Sequence, residues 1–271
     1  MPPTDSMLLG PMTEAVHAVG ALLRALELPP RPARDRDEFL RRFSAVDEPA
    51  LALLRERLGA LRPGAVWADE LDTRLPEQGE VWVADAVDGA VQLLQGLPHW
   101  CVSLTLVRER RAVAAVLHSP LLGETCAAAL GGGARRDGRP MRPSVKRTLD
   151  AALLGTSQPP GIAREPEAVR GAGRSLSALL PKAGAVRNLG ATSWQVADTA
   201  DGRLDGFWQY GSDDANLIGP ALIAAEAGLA VTDLTGRPWR AGADGFLAAP
   251  RALHALMLAA IVDRACDTLH V

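Results

Sequence analysis

The chain has 271 residues, 48% of them hydrophobic and 23% charged, which is enough apolar material for one large core. Its 29 basic and 32 acidic residues give a formal charge of -3. That excludes a global basic field for nucleic acid or anionic membrane and leaves partners to be argued from local sites. Cys101, Cys126 and Cys266 are odd in number, far apart and set in apolar sequence. This is the pattern of reduced thiols in a cytoplasmic protein, not of a disulfide framework or a cysteine metal site.

In chain order, the N-terminal stretch has no basic leader and no long uninterrupted apolar run, so an amphipathic helix over 12–28 is expected instead of export or membrane insertion. Pro29-Pro30 ends it. Residues 31–39 are charged and read as a loop, and 48–61 as a second helix with Asp47 at its N-cap. The runs VWVADAV (81–87), CVSLTLV (101–107) and AVAAVLH (112–118) read as buried strands, followed by a strand pair around the glycines 131–133. Further on, 153–161 reads as a strand entering a loop, 165–180, 192–200 and 217–227 as helices, 205–210 and 229–236 as strands, and 253–269 as a closing helix. Strands mixed with helices without strict βαβ alternation predict stacked α and β layers, an α/β (α+β) architecture. The chain reads as one unit, 1–271, whose lobes would be 1–145 and 146–271.

The sharpest feature is Asp85-Ala86-Val87-Asp88-Gly89 at the end of the strand VWVA. Two carboxylates three residues apart, with a glycine for the turn, suit a hard cation such as magnesium. A turn with two solvated acids is the alternative. Asp69-Glu70 follows the apolar AVW, and Asp213-Asp214-Ala215-Asn216 precedes a helical pattern, where capping competes with ion binding. Gly131-Gly132-Gly133 reads as a hairpin turn because no lysine and no helix follow, as a phosphate loop requires. His99 and His118 read as core or rim residues, and Trp67, Trp82, Trp100, Trp194 and Trp208 as packing.

These segments together resemble the inositol monophosphatase family. VWVADAVDGAVQLLQGLPHWCVSLTLV is similar to the signature W-[IV]-[IV]-D-P-[IL]-D-G-T and the strand after it, and GGGARRDGRP to the turn G-G-G-A-x-x-N-G. RNLGATSW through GRLDGFWQY looks like R-x-x-G-S-A-A leading to G-R-L-D-G, and EAGLAVTD like E-A-G-G-x-[VI]-[TS]-D. The matches are collinear over residues 44–240. The resemblance implies an αβαβα sandwich, commonly a homodimer, that hydrolyses small phosphate monoesters with Mg2+. By position, Asp85 would bridge two metals, Asp88 would ligate the second and the carbonyl of Val87 the first. Asp47 would orient the attacking water together with a signature threonine.

The departures from the family pattern bear on the chemistry. The signature threonine is Ala90, beside Gly89. The family's G-E-E is Ala68-Asp69-Glu70, with Glu70 able to take over from the shortened Asp69. Asn216 stands at the second metal's aspartate, which removes a charge and weakens that site, so one good magnesium is expected. Asp214 would substitute only if the loop shifted by two residues. Gln209 replaces a sugar-binding carboxylate, while Gly190, Ala191 and Thr192 keep the small-residue bend beside the substrate. The expected activity is hydrolysis or binding of a small phosphorylated molecule, with weakened chemistry and with neither nucleic acid nor membrane as partner. The alternatives are a pseudophosphatase that binds a ligand or protein, or a repurposed enzyme in which Arg135, Arg136 and Arg187 serve another substrate.

Overall fold

The computed structural model describes residues 5–26, 32–68, 75 and 78–266, with side chains as far as residue 262. A 3-10 turn, Asp5–Leu8, leads into α1 (Leu9–Ala25), followed by α2 (Arg36–Leu58). Seven strands form the first sheet: β1 (Val66–Trp67), β2 (Glu80–Asp88), β3 (Cys101–Arg108), β4 (Arg111–Ser119), β5 (Glu124–Ala129), β6 (Ala134–Arg136) and β7 (Arg139–Pro140). The short α3 (Ala90–Leu94) lies between β2 and β3. The rest comprises β8 (Leu153–Ser157), α4 (Pro166–Leu179), β9 (Ala185–Arg187), α5 (Thr192–Ala200), β10 (Gly206–Tyr210), α6 (Asp214–Glu226), β11 (Ala230–Thr232), β12 (Gly245–Ala249) and α7 (Arg251–Cys266).

The first sheet runs in sequence order and is antiparallel except for the parallel β1/β2 pair. The second has the order β11-β12-β10-β8-β9, with β10, β8 and β9 parallel to one another. Side-chain alternation then dictates the layers. Trp82, Leu104, Leu106 and Val116 point from the first sheet into a core shared with Met12, Val16, Leu54 and Leu58 of α1 and α2. Val81, Val83 and Leu117 point the other way, into a core with Trp194, Val196, Ile218 and Ile223 of α5 and α6, which Phe207 and Phe246 of the second sheet close from the far side. Trp208, Leu247 and Leu253 build the outermost core under α4 and α7. The result is the expected αβαβα sandwich.

Several sequence expectations are corrected in detail. The charged stretch read as a loop is helical from residue 36 onward. Asp35 caps the amide of Glu38, and Glu38 pairs with Arg34 and Arg42 one turn away on either side, so local capping and ion pairs start α2 at Arg36. Asp47 is consequently a mid-helix residue and not a cap. α6 begins at Asp214, three residues before the apolar pattern starts, and β12 and β9 went unread because they are short. The stop at Pro29-Pro30, with Asp69 and Glu70, lies outside the described residues.

The segment Asp5–Ala25 is long and apolar enough to cross a membrane by length and composition. In the fold, however, it lays Leu8, Met12, Val16, Val19 and Leu23 on the sheet and α2. Gly20 lets it approach closely, since a Cβ there would stand 2.7 Å from the His118 ring. His118 Nδ1 lies 3.1 Å from both the Glu124 carbonyl and Thr125 Oγ1, and His17 Nε2 lies 2.7 Å from the same hydroxyl, with the two rings 4.3 Å apart. Burial first, and then the neighbouring His17, pulls the His118 pKa down to about 4. In the unfolded chain His118 takes up its proton near pH 6.5, so this neutral ring contributes stability above that pH and loses it as pH falls toward 4. Allowing for partial solvent screening, denaturant titrations between pH 7 and 4 are expected to assign about 2 kcal/mol of lost stability to this residue. His118→Gln should flatten that part of the profile, and an unchanged slope would refute the assignment.

Candidate functional site

The site is built at the C-terminal end of β2. β2 extends one residue beyond the strand expected over 81–87 and so includes both acids, with a register shift between Asp85 and Asp88. In a regular strand residues three apart face opposite ways. Here Ala86 and Val87 both join the core under α1 and α2, so the alternation slips by one and Asp88 returns to the side of Val83 and Asp85, facing α5. The bulge is thus what puts both carboxylates on one face. Asp85 Oδ1 accepts the amide of Val87 at 2.9 Å and Asp88 Oδ2 that of Ser193 at 2.8 Å. Burial, the dominant effect, still holds Asp88 above the usual carboxylate range. The Cys101 thiol, 3.9 Å from Asp88, is raised by burial and by the charges of Asp88 and Asp85.

Two glycines seat the surrounding loops against one carbonyl. Gly89 has φ 95° and Gly190 φ 130°, and a Cβ on either would lie within 3.0 Å of the His99 carbonyl oxygen. Gly89 precedes Ala90, the first residue of α3, and Gly190-Ala191 precedes Thr192, the first of α5. His99 therefore serves this bend through its backbone.

From α5 a polar chain runs into the second sheet. Thr192 Oγ1 donates to Ser157 at 2.9 Å and lies 3.3 Å from Gln209 Oε1, and Gln209 Nε2 donates to Asp213 Oδ2 at 2.7 Å. Asp213 Oδ1 accepts from Asn216 Nδ2 at 3.0 Å, and Ser193 Oγ donates to the Asn216 carbonyl at 3.0 Å. Asp88, Thr192, Gln209 and Asn216 are thereby brought together. Asp213, one of the residues for which capping and ion binding were both open, stands at the N-cap of α6 without a side-chain cap bond and belongs to this network. Its offsets, four after Gln209 and three before Asn216, were the available signal. Asp213 is pushed up to about 7, by burial first, with the charges of Asp88 and Asp214 adding to it. Asp214 instead accepts the Gly242 amide with Oδ1.

Asp47, on α2, is buried, and its pKa is pushed up to about 6 by burial and then by Glu48. Its Oδ1 has no hydrogen-bond partner among the described residues. α2 packs on β2 and α3, which sets the helix of Asp47 beside the one that begins at Ala90. Of the arginines considered for another substrate, Arg136 is held by Glu124 and Asp198, whereas Arg135 and Arg187 are exposed and each gives one N–H to a nearby carbonyl, of Gly138 and Val186. Gly131 and Gly133 form a turn whose amides hold Glu226, at 2.8 and 2.9 Å.

Among the described residues no three His, Cys, Asp or Glu side chains form a group that could hold a metal. The donor chemistry nevertheless fits a hard cation. Asp88 and Asp213 are buried and bear on each other with like charge, and the buried Oδ1 of Asn216 lacks a partner. Oxygen donors short of positive charge are what magnesium satisfies.

Comparison with known proteins places this architecture. Residues 37–265 match the model of the inositol monophosphatase family. The inositol-1-monophosphatase of Rhizobium meliloti is 30% identical over 206 residues, which span 73% of this chain and 75% of that protein. The Nus factor SuhB of Pseudomonas aeruginosa is 31% identical over 191 residues, 69% of this chain and 65% of that relative, so just under two thirds of its length is matched. The inositol monophosphatase structure from Anabaena (Nostoc) superposes with a TM-score of 0.81 at 24% identity, covering 95% of this chain and 96% of the other. The suhB protein of Bartonella henselae gives 0.78 at 23%, covering 94% and 99%. The layered fold and acidic strand end thus define a class, and the chain belongs to the inositol monophosphatase family.

Proposed function

We propose that this protein is a magnesium-dependent phosphatase of a small phosphate monoester, such as a polyol, sugar or nucleotide phosphate. The observation that carries this reading is the slipped alternation in β2, which returns Asp88 to the face of Asp85 opposite the start of α5. In this reading Asp85, Asp88, the Val87 carbonyl and Asn216 hold the metal, with Asp69 and Glu70 completing it. Bound there, magnesium supplies Lewis-acid charge to a phosphoryl oxygen and lowers the pKa of a water. Gly190, Ala191 and Thr192 leave room for the organic part of the substrate, and Gln209, a neutral amide, shifts the preference away from ligands that need a carboxylate there. Asp47, raised to about 6, is mostly ionised at neutral pH and is suited to accept a proton from the attacking water. A homodimer in the cytoplasm belongs to the same reading.

The test is release of inorganic phosphate from a panel of monoesters with magnesium and with a chelator. Release above blank only with the metal is expected, and none from any ester would sink the proposal. Ala90→Thr should raise turnover about 10-fold or more by restoring a hydroxyl beside the acids. One observation favours a second reading, binding without turnover: Ala90 offers no group to share a proton with Asp47. Relatives named as Nus factors fit such a role. It predicts that a phosphorylated ligand raises the melting temperature with no product formed.

A further inference from the structure

The amide of Asn216 has one end satisfied and one end not. Its Nδ2 donates to Asp213 Oδ1 at 3.0 Å, while Oδ1 is buried with no hydrogen-bond partner among the described residues. The other oxygen of Asp213 is taken by Gln209 Nε2 at 2.7 Å, and Gln209 in turn turns its own oxygen toward Thr192. Both oxygens of Asp213 accept from an amide N–H2 group, so Asp213 sets which way both amides face. Rotating either amide would set oxygen against oxygen in a buried space. Ser193 holds the backbone of the same residue, giving its hydroxyl to the Asn216 carbonyl and its amide to Asp88. The free Oδ1 therefore sits on the far side of its amide from Asp213, on a residue tied through Ser193 to Asp88.

We propose that Asp213 is a positioning residue that restores, one hydrogen bond further out, the negative charge that Asn216 lacks as a cation ligand. The amide oxygen is polarised by the carboxylate behind its N–H2 group and is kept turned toward the acidic site. The pair Asp213–Asn216 acts as one anionic donor spread over two side chains. Outer partners of this kind tune both the orientation and the strength of a metal ligand. Of the remaining acids at this helix start, Asp214 accepts the Gly242 amide with Oδ1, and its buried Oδ2 has no hydrogen-bond partner among the described residues. The inference rests on the magnesium reading above.

Magnesium binding by titration calorimetry, with magnesium-induced change in melting temperature as a second readout, tests it without substrate. Asp213→Asn should weaken magnesium about 10- to 100-fold. The exchanged pair, Asp213→Asn with Asn216→Asp, should recover most of the affinity, because the charge returns with the hydrogen-bond polarity reversed. A merely structural Asp213 would lower the melting temperature on replacement by asparagine and leave magnesium affinity unchanged. If wild type and Asp213→Asn bind equally, the proposal is overturned and the magnesium reading stands. If Asp213→Asn binds weakly and the exchange does not rescue it, the proposal is likewise overturned. Failure of the wild-type protein to bind magnesium overturns the reading itself, and the proposal with it.

Discussion

Asp85→Asn is expected to lower magnesium-dependent phosphate release by at least about 100-fold, more than the loss of an outer partner of a metal ligand. The substitution keeps the size of the side chain and leaves an oxygen able to accept the Val87 amide, so the bulge that orients Asp88 should survive. What disappears is a buried negative charge beside a second one. Two carboxylates on one face with no cation raise each other's cost of ionisation. In the absence of magnesium the variant should therefore melt no lower than wild type, and magnesium should stabilise it less. Activity lost with stability kept separates a functional role from a packing role. Turnover within a factor of two of wild type would exclude Asp85 from the proposed metal site.

The second large effect lies away from the acidic site. Arg136 is buried at the edge of the first sheet, with Nη1 2.9 Å from Glu124, Nη2 2.7 Å from Asp198 and Nε 3.1 Å from Asp201. Its guanidinium also lies 5.3 Å from the centre of the Trp194 ring on α5. One side chain thus ties the first sheet to the central helices. Burial holds Asp198 above the usual carboxylate range even with this partner. Without Arg136, Asp198 would keep, among the described residues, the Arg203 guanidinium at 3.7 Å. Removing one member of a buried ion pair leaves an uncompensated charge, which costs about 3–5 kcal/mol. Arg136→Met should show a loss of that size in urea unfolding. Arg136→Lys, which keeps the charge but loses the fork, should fall between it and wild type. A loss below about 1 kcal/mol for the methionine variant would mean that solvent already screens the cluster.

Much of the fold was legible because its strongest signals are local. β2 to β4 are largely apolar runs, buried on both faces by helices, and strands sandwiched this way carry no regular polar alternation. Thr192–Ala200 was readable as a helix, as was the turn at Gly131 to Gly133. The start of α2 was misread because its first turns are charged and face solvent, so the apolar period is faint there and capping by Asp35 decides instead. β9 and β12 have three and five residues and are defined by their neighbours in the second sheet.

The sequence by itself determined the layered α/β class, the family resemblance, the acids at the end of β2 and the small residues ahead of α5, since each is written in contiguous residues whose chemistry needs no partner to be recognised. Tertiary structure alone decided which way those groups face. A slip of one residue within β2 returns Asp88 to the side of Asp85, and Ser193, 105 residues further along the chain, meets it there. Asp213 became part of the site because Gln209, four residues earlier at the end of β10, turns its amide onto it. Arg136 became a structural tie because Asp198 and Asp201 reach it from α5 and its end. For Asp88 and Arg136 the deciding quantity is a hydrogen bond or ion pair of about 3 Å, which depends on register and long-range packing and leaves no periodic trace in the sequence.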